Sequence, residues 1–78
     1  MTEFEKLKNS YISTIQIGLT ANAGYHQTKH GNDILHKFCE QLVDSSNFQD
    51  DIKASMKHEL ELLKETLSKE IDCYYKKA

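Results

Sequence analysis

The 78-residue sequence has no proline, no arginine and no tryptophan, and it has only two cysteines. Without proline, no interior position of the chain is barred from a helix. Two cysteines are too few for a disulfide scaffold, which favours a reducing compartment. No apolar run approaches the roughly 20 residues of a membrane-spanning helix, and the N-terminus lacks the apolar core of a secretory signal. We therefore expect a cytoplasmic protein without a membrane partner.

The missing arginine bears on nucleic-acid binding, because all ten basic residues are lysines. Arginine is the side chain that reads guanine edges and phosphates in a bidentate manner. The formal net charge is −2, whereas nucleic-acid-binding domains carry a basic patch. The acidic excess is also too small to imitate DNA. Nucleic acid is therefore not an expected partner.

The composition predicts one small globular domain built only from helices. Hydrophobic residues make up 38% and charged residues 28% of the chain, which is not the signature of a disordered chain. The length leaves room for a single domain. No strand-like alternation or hairpin turn occurs. We assign residues 1–78 to one all-α domain.

The first predicted helix spans about residues 3–22 and begins with a capping box formed by Thr2 and Glu5. Its apolar residues recur at intervals of three and four, which is typical of one helix face. They are Phe4, Leu7, Tyr11, Ile12, Ile15 and Leu19.

The end of this helix has two interpretations. It can stop at Gly24 and leave a loop, or it can continue to His30 and stop at Gly31. We favour the longer helix, because Lys29 and His30 suit the negative end of the helix dipole and Gly31 suits the position after a helix.

The second predicted helix spans residues 33–45 and is capped by Asn32 and Asp33. Adjacent apolar pairs recur every four residues along it, so we expect a broad and well-buried face. The pairs are Ile34 with Leu35, Phe38 with Cys39, and Leu42 with Val43.

The third predicted helix spans residues 48–75, with Ser46 or Asn47 as its cap. Asp50 and Asp51 near its start and Lys76 and Lys77 at its end complement the helix dipole. Its apolar stripe is the most regular in the chain. The stripe consists of Phe48, Ile52, Met56, Leu60, Leu63, Leu67, Ile71 and Tyr74.

Together these patterns predict a three-helix bundle or helical hairpin with a long C-terminal amphipathic helix. A short second helix would leave part of the third stripe uncovered, and small chains often gain stability by oligomerising. We therefore expect a homodimer, with a monomeric bundle as the alternative. The predicted dimer interface consists of Met56, Leu60, Leu62, Leu63, Leu67 and Ile71.

Few residues suggest catalytic or metal chemistry. His26 and His30 share a helix face at a spacing that begins many zinc sites, but no third ligand is near in sequence, so a metal site is only an alternative. Cys39 has apolar neighbours, which favours a packed thiol, and Cys73 lies near the chain end. We expect neither an enzyme nor a bound cofactor.

The sequence therefore favours a small protein that regulates or inhibits another protein by occluding it. The predicted partner surface consists of Ile17, Tyr25, His26 and Lys29, because aromatic residues are enriched at binding hot spots. A second interpretation is a protein that captures a nucleotide-like ligand with the segment from Tyr25 to His30. A lysine-rich chain without arginine or proline is also typical of AT-rich bacterial or phage genomes, so an accessory or anti-defence protein of a phage or mobile element fits.

Overall fold

Three α-helices form the chain in the computed structural model, which describes residues 2–76. α1 spans Glu3–Thr20, α2 spans Tyr25–Asp44 and α3 spans Asp50–Lys76. Residues 2–76 contain no β-strand, so the all-α prediction is confirmed. The helices lie side by side in a rod with extents of 44 × 18 × 18 Å. None of the three combines the length and the apolar character that crossing a membrane requires.

The start of α1 agrees with the predicted cap. Thr2 has extended backbone geometry, and its Oγ1 accepts a hydrogen bond of 3.1 Å from the Glu5 amide. This bond satisfies one of the amides that every helix start leaves without a partner inside the helix.

Both predicted ends of the first helix are wrong, as the turn after α1 shows. The helix stops at Thr20, because Asn22 (φ 58°) and Gly24 (φ 99°) have left-handed backbone conformations. The amides of Ala21 and Ala23 donate to carbonyls of the last turn, which closes the helix. The segment from Tyr25 to His30 is helical, as the longer interpretation expected, but it belongs to α2.

The predicted start of the second helix at residue 33 is therefore wrong. α2 already begins at Tyr25, so Gly31 is not a helix end and Asn32 is not a cap. Asn32 is instead buried between the helices, where its side-chain Oδ1 and backbone oxygen accept hydrogen bonds from the Tyr11 hydroxyl. Its Nδ2 donates to the Lys64 carbonyl at 3.1 Å. A residue typical of caps is stable inside a helix when its side chain finds such partners.

The start of the third helix also differs from the prediction. The Ser46 hydroxyl donates to the Val43 carbonyl at 2.5 Å, so this residue closes α2 and does not cap α3. α3 begins at Asp50, two residues after Phe48. Asp50 and Asp51 lie in its first turn and Lys76 in its last turn, as predicted. Lys77 lies outside the described residues.

The core contains residues from all three helices and accounts for most of the predicted dimer interface. Leu60, Leu67 and Ile71 are at most 3% exposed within the single chain, and Met56 and Leu63 pack against the same core. α1 and α2 cover them with Tyr11, Ile15, Cys39 and Val43. In this fold Leu60, Leu67 and Ile71 are therefore not available to a second copy. Only Leu62 of the six is strongly exposed, at 49%, and the dimer itself stays a prediction.

Candidate docking surface

Two residues of the predicted partner surface, Tyr25 and Lys29, bind α3. The Tyr25 hydroxyl donates to Asp72 Oδ1 at 2.7 Å, and Lys29 Nζ donates to the same oxygen at 3.0 Å. Lys29 Nζ also donates to the Ser68 hydroxyl at 2.5 Å. We call these four side chains, Tyr25, Lys29, Ser68 and Asp72, the polar clasp. The clasp joins the start of α2 to the last turns of α3.

The charges of the clasp stabilise one another. The hydrogen bond from Tyr25, followed by that from Lys29, lowers the pKa of the Asp72 carboxyl below its ordinary value. The same carboxylate raises the pKa of Tyr25 and that of Lys29. Tyr25 and Lys29 therefore have an internal partner, which reduces what they can offer to another molecule.

The other two predicted partner residues remain accessible. Ile17 is 65% exposed near the end of α1. His26 is exposed, and its ring meets the ring of Tyr25 edge-on at 5.3 Å. The structure thus does not assemble the four predicted residues into one free patch.

A shallow hollow beside the clasp tests the ligand-capture interpretation. It is lined by Tyr25, Asp72, Tyr75 and Lys76 and has a volume of about 460 Å³. The Tyr75 hydroxyl accepts a hydrogen bond from the Gly24 amide at 3.1 Å. An anionic ligand would meet the Asp72 carboxylate in this wall, and Lys29 is already paired with that carboxylate. This geometry does not favour a nucleotide-like anion.

The histidine pair His26 and His30 has no third metal ligand in the described part of the chain. Both side chains are exposed on α2. Within residues 2–76, no three histidine, cysteine, aspartate or glutamate side chains are grouped so that they could hold a metal ion. Zinc sites in proteins usually have at least three protein ligands.

The two cysteines occupy different environments. Cys39 is 2% exposed, and burial raises the pKa of its thiol, which disfavours the reactive thiolate. Cys73 is exposed on α3. The environment of Cys39 therefore does not activate a nucleophile.

The most prominent surface feature is an apolar ridge that the sequence analysis expected to be buried. Ile34, Phe38 and Leu42 are spaced by four residues on α2 and are 53%, 55% and 44% exposed. We call these three residues the α2 ridge. Only Cys39 and Val43 of the predicted broad face are fully buried, while Leu35 is partly buried. The predicted burial of Ile34, Phe38 and Leu42 is therefore wrong.

Three hollows lie beside the α2 ridge, along the line where α1 and α2 meet. Their volumes are about 250, 200 and 160 Å³. The first two share Leu7 and the last two share Thr14 and Leu35, so the hollows form a continuous strip. We call the strip together with the α2 ridge the α1/α2 face. Phe38 and Leu42 of the ridge also line it, and exposed Phe48 lies at one end.

This face carries almost no charge. Among the described residues that line the three hollows, only Glu3 has a formal charge. The groove between α2 and α3 is the opposite case, because most of its lining is charged. That lining consists of Glu40, Asp44, Asp50, Lys53, Ala54, Lys57, His58 and Glu61. Depletion of charge with retained aromatic and aliphatic surface is typical of the centre of protein interfaces.

Sequence reasoning missed the α2 ridge although a signal for it was present. At 100° per residue, the apolar residues from Ile34 to Val43 cover an arc of about 180° around α2. The apolar stripe of an ordinary surface helix is little wider than about 100°. In this bundle α1 and α3 cover only the part of the arc that contains Leu35, Cys39 and Val43. The excess width of the arc was the sign that part of it would remain exposed.

Comparisons with protein-family models, with curated proteins and with solved structures found no match to this chain.

Proposed function

We propose that this chain is a non-enzymatic protein that acts by binding another protein chain through its α1/α2 face. The observation that carries the proposal is the α2 ridge, where three large apolar side chains are about half exposed on one helix. Contiguous exposed apolar surface with a polar surround marks interaction sites in soluble proteins. A cytoplasmic regulator or inhibitor, including an accessory protein of a phage, would bind through this face either its target or a second copy of itself.

The energy available from the ridge supports docking. Full burial of a Leu, Ile or Phe side chain is worth roughly 1.5–3 kcal/mol. Covering the exposed halves of three such side chains would therefore contribute about 2–4 kcal/mol. Phe38 at the centre of the ridge has the character of an anchor residue.

The chemistry of the face also supports binding over catalysis. Its hollows are lined by aliphatic, aromatic and small side chains, with Glu3 as the single charged group among the described lining residues. Cys39, which lines one hollow, has a thiol whose pKa is raised by burial. A lining that is mostly apolar supports a binding role for this face.

Photo-cross-linking in the native host tests this proposal. A benzophenone amino acid at Phe38 should form covalent products with another protein chain, whereas the same probe at Leu62 should form few. Leu62 is a matched control, because it is 49% exposed on α3 while Phe38 is 55% exposed on α2. No product at Phe38, or equal products at both sites, would refute docking through the α1/α2 face.

A further inference from the structure

We infer that the chain covering the α1/α2 face is a second copy of this protein. The inference rests on the proposed function, because it names the partner that docks on that face. It moves the predicted dimer contact from α3 to the α1/α2 face.

The exposed area of the single chain gives the first reason. A monomeric protein of 9.0 kDa exposes roughly 4,900 Å² on average. This chain exposes 5493 Å². The excess of roughly 600 Å² approaches the ~800 Å² that each partner contributes to a standard interface. Part of it reflects the rod shape, and side-by-side pairing of two rods would remove such an excess.

The shape of the face gives the second reason. A two-fold dimer brings the same surface of both copies together, so that surface must contain both a projection and a recess. The α1/α2 face contains both, since the α2 ridge stands next to a continuous strip of hollows. A recess lies beside the centre of the ridge because α1 contributes small side chains there, Ser10 and Thr14. The ridge of each copy can therefore enter the strip of the other.

The charge of the face gives the third reason, and it favours a second copy over a different protein. A two-fold axis brings a charge that lies close to the axis near its own equivalent, so like charges at the centre of the face would repel each other. The strip contains only Glu3 as a charged residue among those described, and it lies in the hollow at one end. Interfaces between different proteins commonly use complementary charges to select and steer the partner. This face has almost none to offer, although 28% of the chain is charged.

Sedimentation of the full-length protein over a wide micromolar concentration range tests the inference. We expect the apparent mass of the wild-type protein to approach twice 9.0 kDa as the protein concentration rises. Phe38→Asp should raise the dimer dissociation constant by at least about 30-fold while circular dichroism stays helical. Ile34→Lys is a second ridge variant that should weaken the dimer in the same way, and Leu62→Asp is the control that should not.

The outcomes separate this inference from the proposed function. If the apparent mass of the wild-type protein stays at 9.0 kDa throughout the concentration range, the inference that a second copy is the partner is refuted. Dissociation by Leu62→Asp but not by Phe38→Asp would overturn it as well, in favour of α3. If the protein is monomeric and the probe at Phe38 still cross-links a different protein, the proposed function stands and the second copy does not. If the probe at Phe38 forms no product and the protein is monomeric, both fail.

Discussion

Asn32 shows how a single polar residue can fix the packing of three helices. It is 1% exposed on α2, yet its side chain and backbone join it to Tyr11 of α1 and to the Lys64 carbonyl of α3. A buried amide with satisfied partners specifies one arrangement, because any other arrangement would leave its polar atoms without hydrogen bonds. Burial also raises the pKa of Tyr11 far above its ordinary value, so its hydroxyl remains a donor.

Removal of the Tyr11 hydroxyl should lower the stability of the fold. We expect Tyr11→Phe to lower the free energy of unfolding by about 1–2 kcal/mol, because Oδ1 of Asn32 would lose its donor in the core. Urea denaturation followed by circular dichroism measures the change. Tyr74→Phe, on an exposed ring, is the control and should have no effect; equal stability of Tyr11→Phe and the wild type would contradict this role for Asn32.

His36 is a second buried polar residue, and its bonding is incomplete. It is 8% exposed, its Nδ1 lies 3.5 Å from Glu40 Oε1, and its Nε2 is buried without a hydrogen-bond partner. A buried polar atom without a partner costs about 1–3 kcal/mol. We therefore expect His36→Leu to raise the melting temperature. A clear fall in thermal scans would show that Nε2 has a partner in solution.

At the scale of helices, the periodicity predicted which residues share a face, whereas the ends depended on single turns. The cap at Thr2 and the extent of α3 within two residues followed from local patterns that the structure retains. The boundary between α1 and α2 did not follow, because Gly24 and Gly31 are equally good candidates for the position after a helix. In the structure Asn32 lies inside α2 and binds Tyr11 and the Lys64 carbonyl, contacts that the sequence pattern does not show.

Two glycine substitutions test this boundary. Gly31 lies inside α2, and a Cβ there would meet no atom within 4 Å, so Gly31→Ala should stabilise the chain by about 1 kcal/mol. Gly24 has φ +99°, so Gly24→Ala should destabilise it by roughly the same amount or more. Thermal unfolding at low protein concentration keeps any effect of association small. If Gly31→Ala destabilised the chain and Gly24→Ala stabilised it, the helix end would lie at Gly31.

The polar clasp between α2 and α3 predicts a pH dependence. The pKa of Asp72 is lowered from its ordinary 3.8, so its contribution to stability is lost as the pH falls below that value. The pKa of Tyr25 is raised from 10.0, so its contribution is lost as the pH rises above that value. We expect Asp72→Asn to be less stable than the wild type near neutral pH, with a difference that shrinks at both extremes. Chemical denaturation across pH measures this, with Glu65→Gln as control; a constant difference would contradict the clasp.

At the scale of the whole molecule, the amount of apolar surface exceeds what three helices can cover. The sequence predicted the α3 stripe as the seam of the fold, and Leu60, Leu67 and Ile71 occupy that seam. It also indicated surplus apolar surface, and Ile17 and Leu62 are indeed 65% and 49% exposed. It missed the further surplus on the α2 ridge, because periodicity gives the direction of a face and not which neighbours cover it. Which part of an apolar face is covered depends on how α1 crosses α2, and the pattern of a single sequence does not determine that crossing.

The central claim is that another chain covers the α2 ridge, and thiol accessibility tests it most directly. In a Cys73→Ser background, where Cys39 is buried, Ile34→Cys and Leu62→Cys introduce thiols at sites that are 53% and 49% exposed in the single chain. Both variants retain Phe38 and Leu42. If the ridge is covered in cells of the native host, a maleimide should label Ile34→Cys several times more slowly than Leu62→Cys, and denaturation should abolish the difference. Equal labelling rates in the folded protein would contradict the claim.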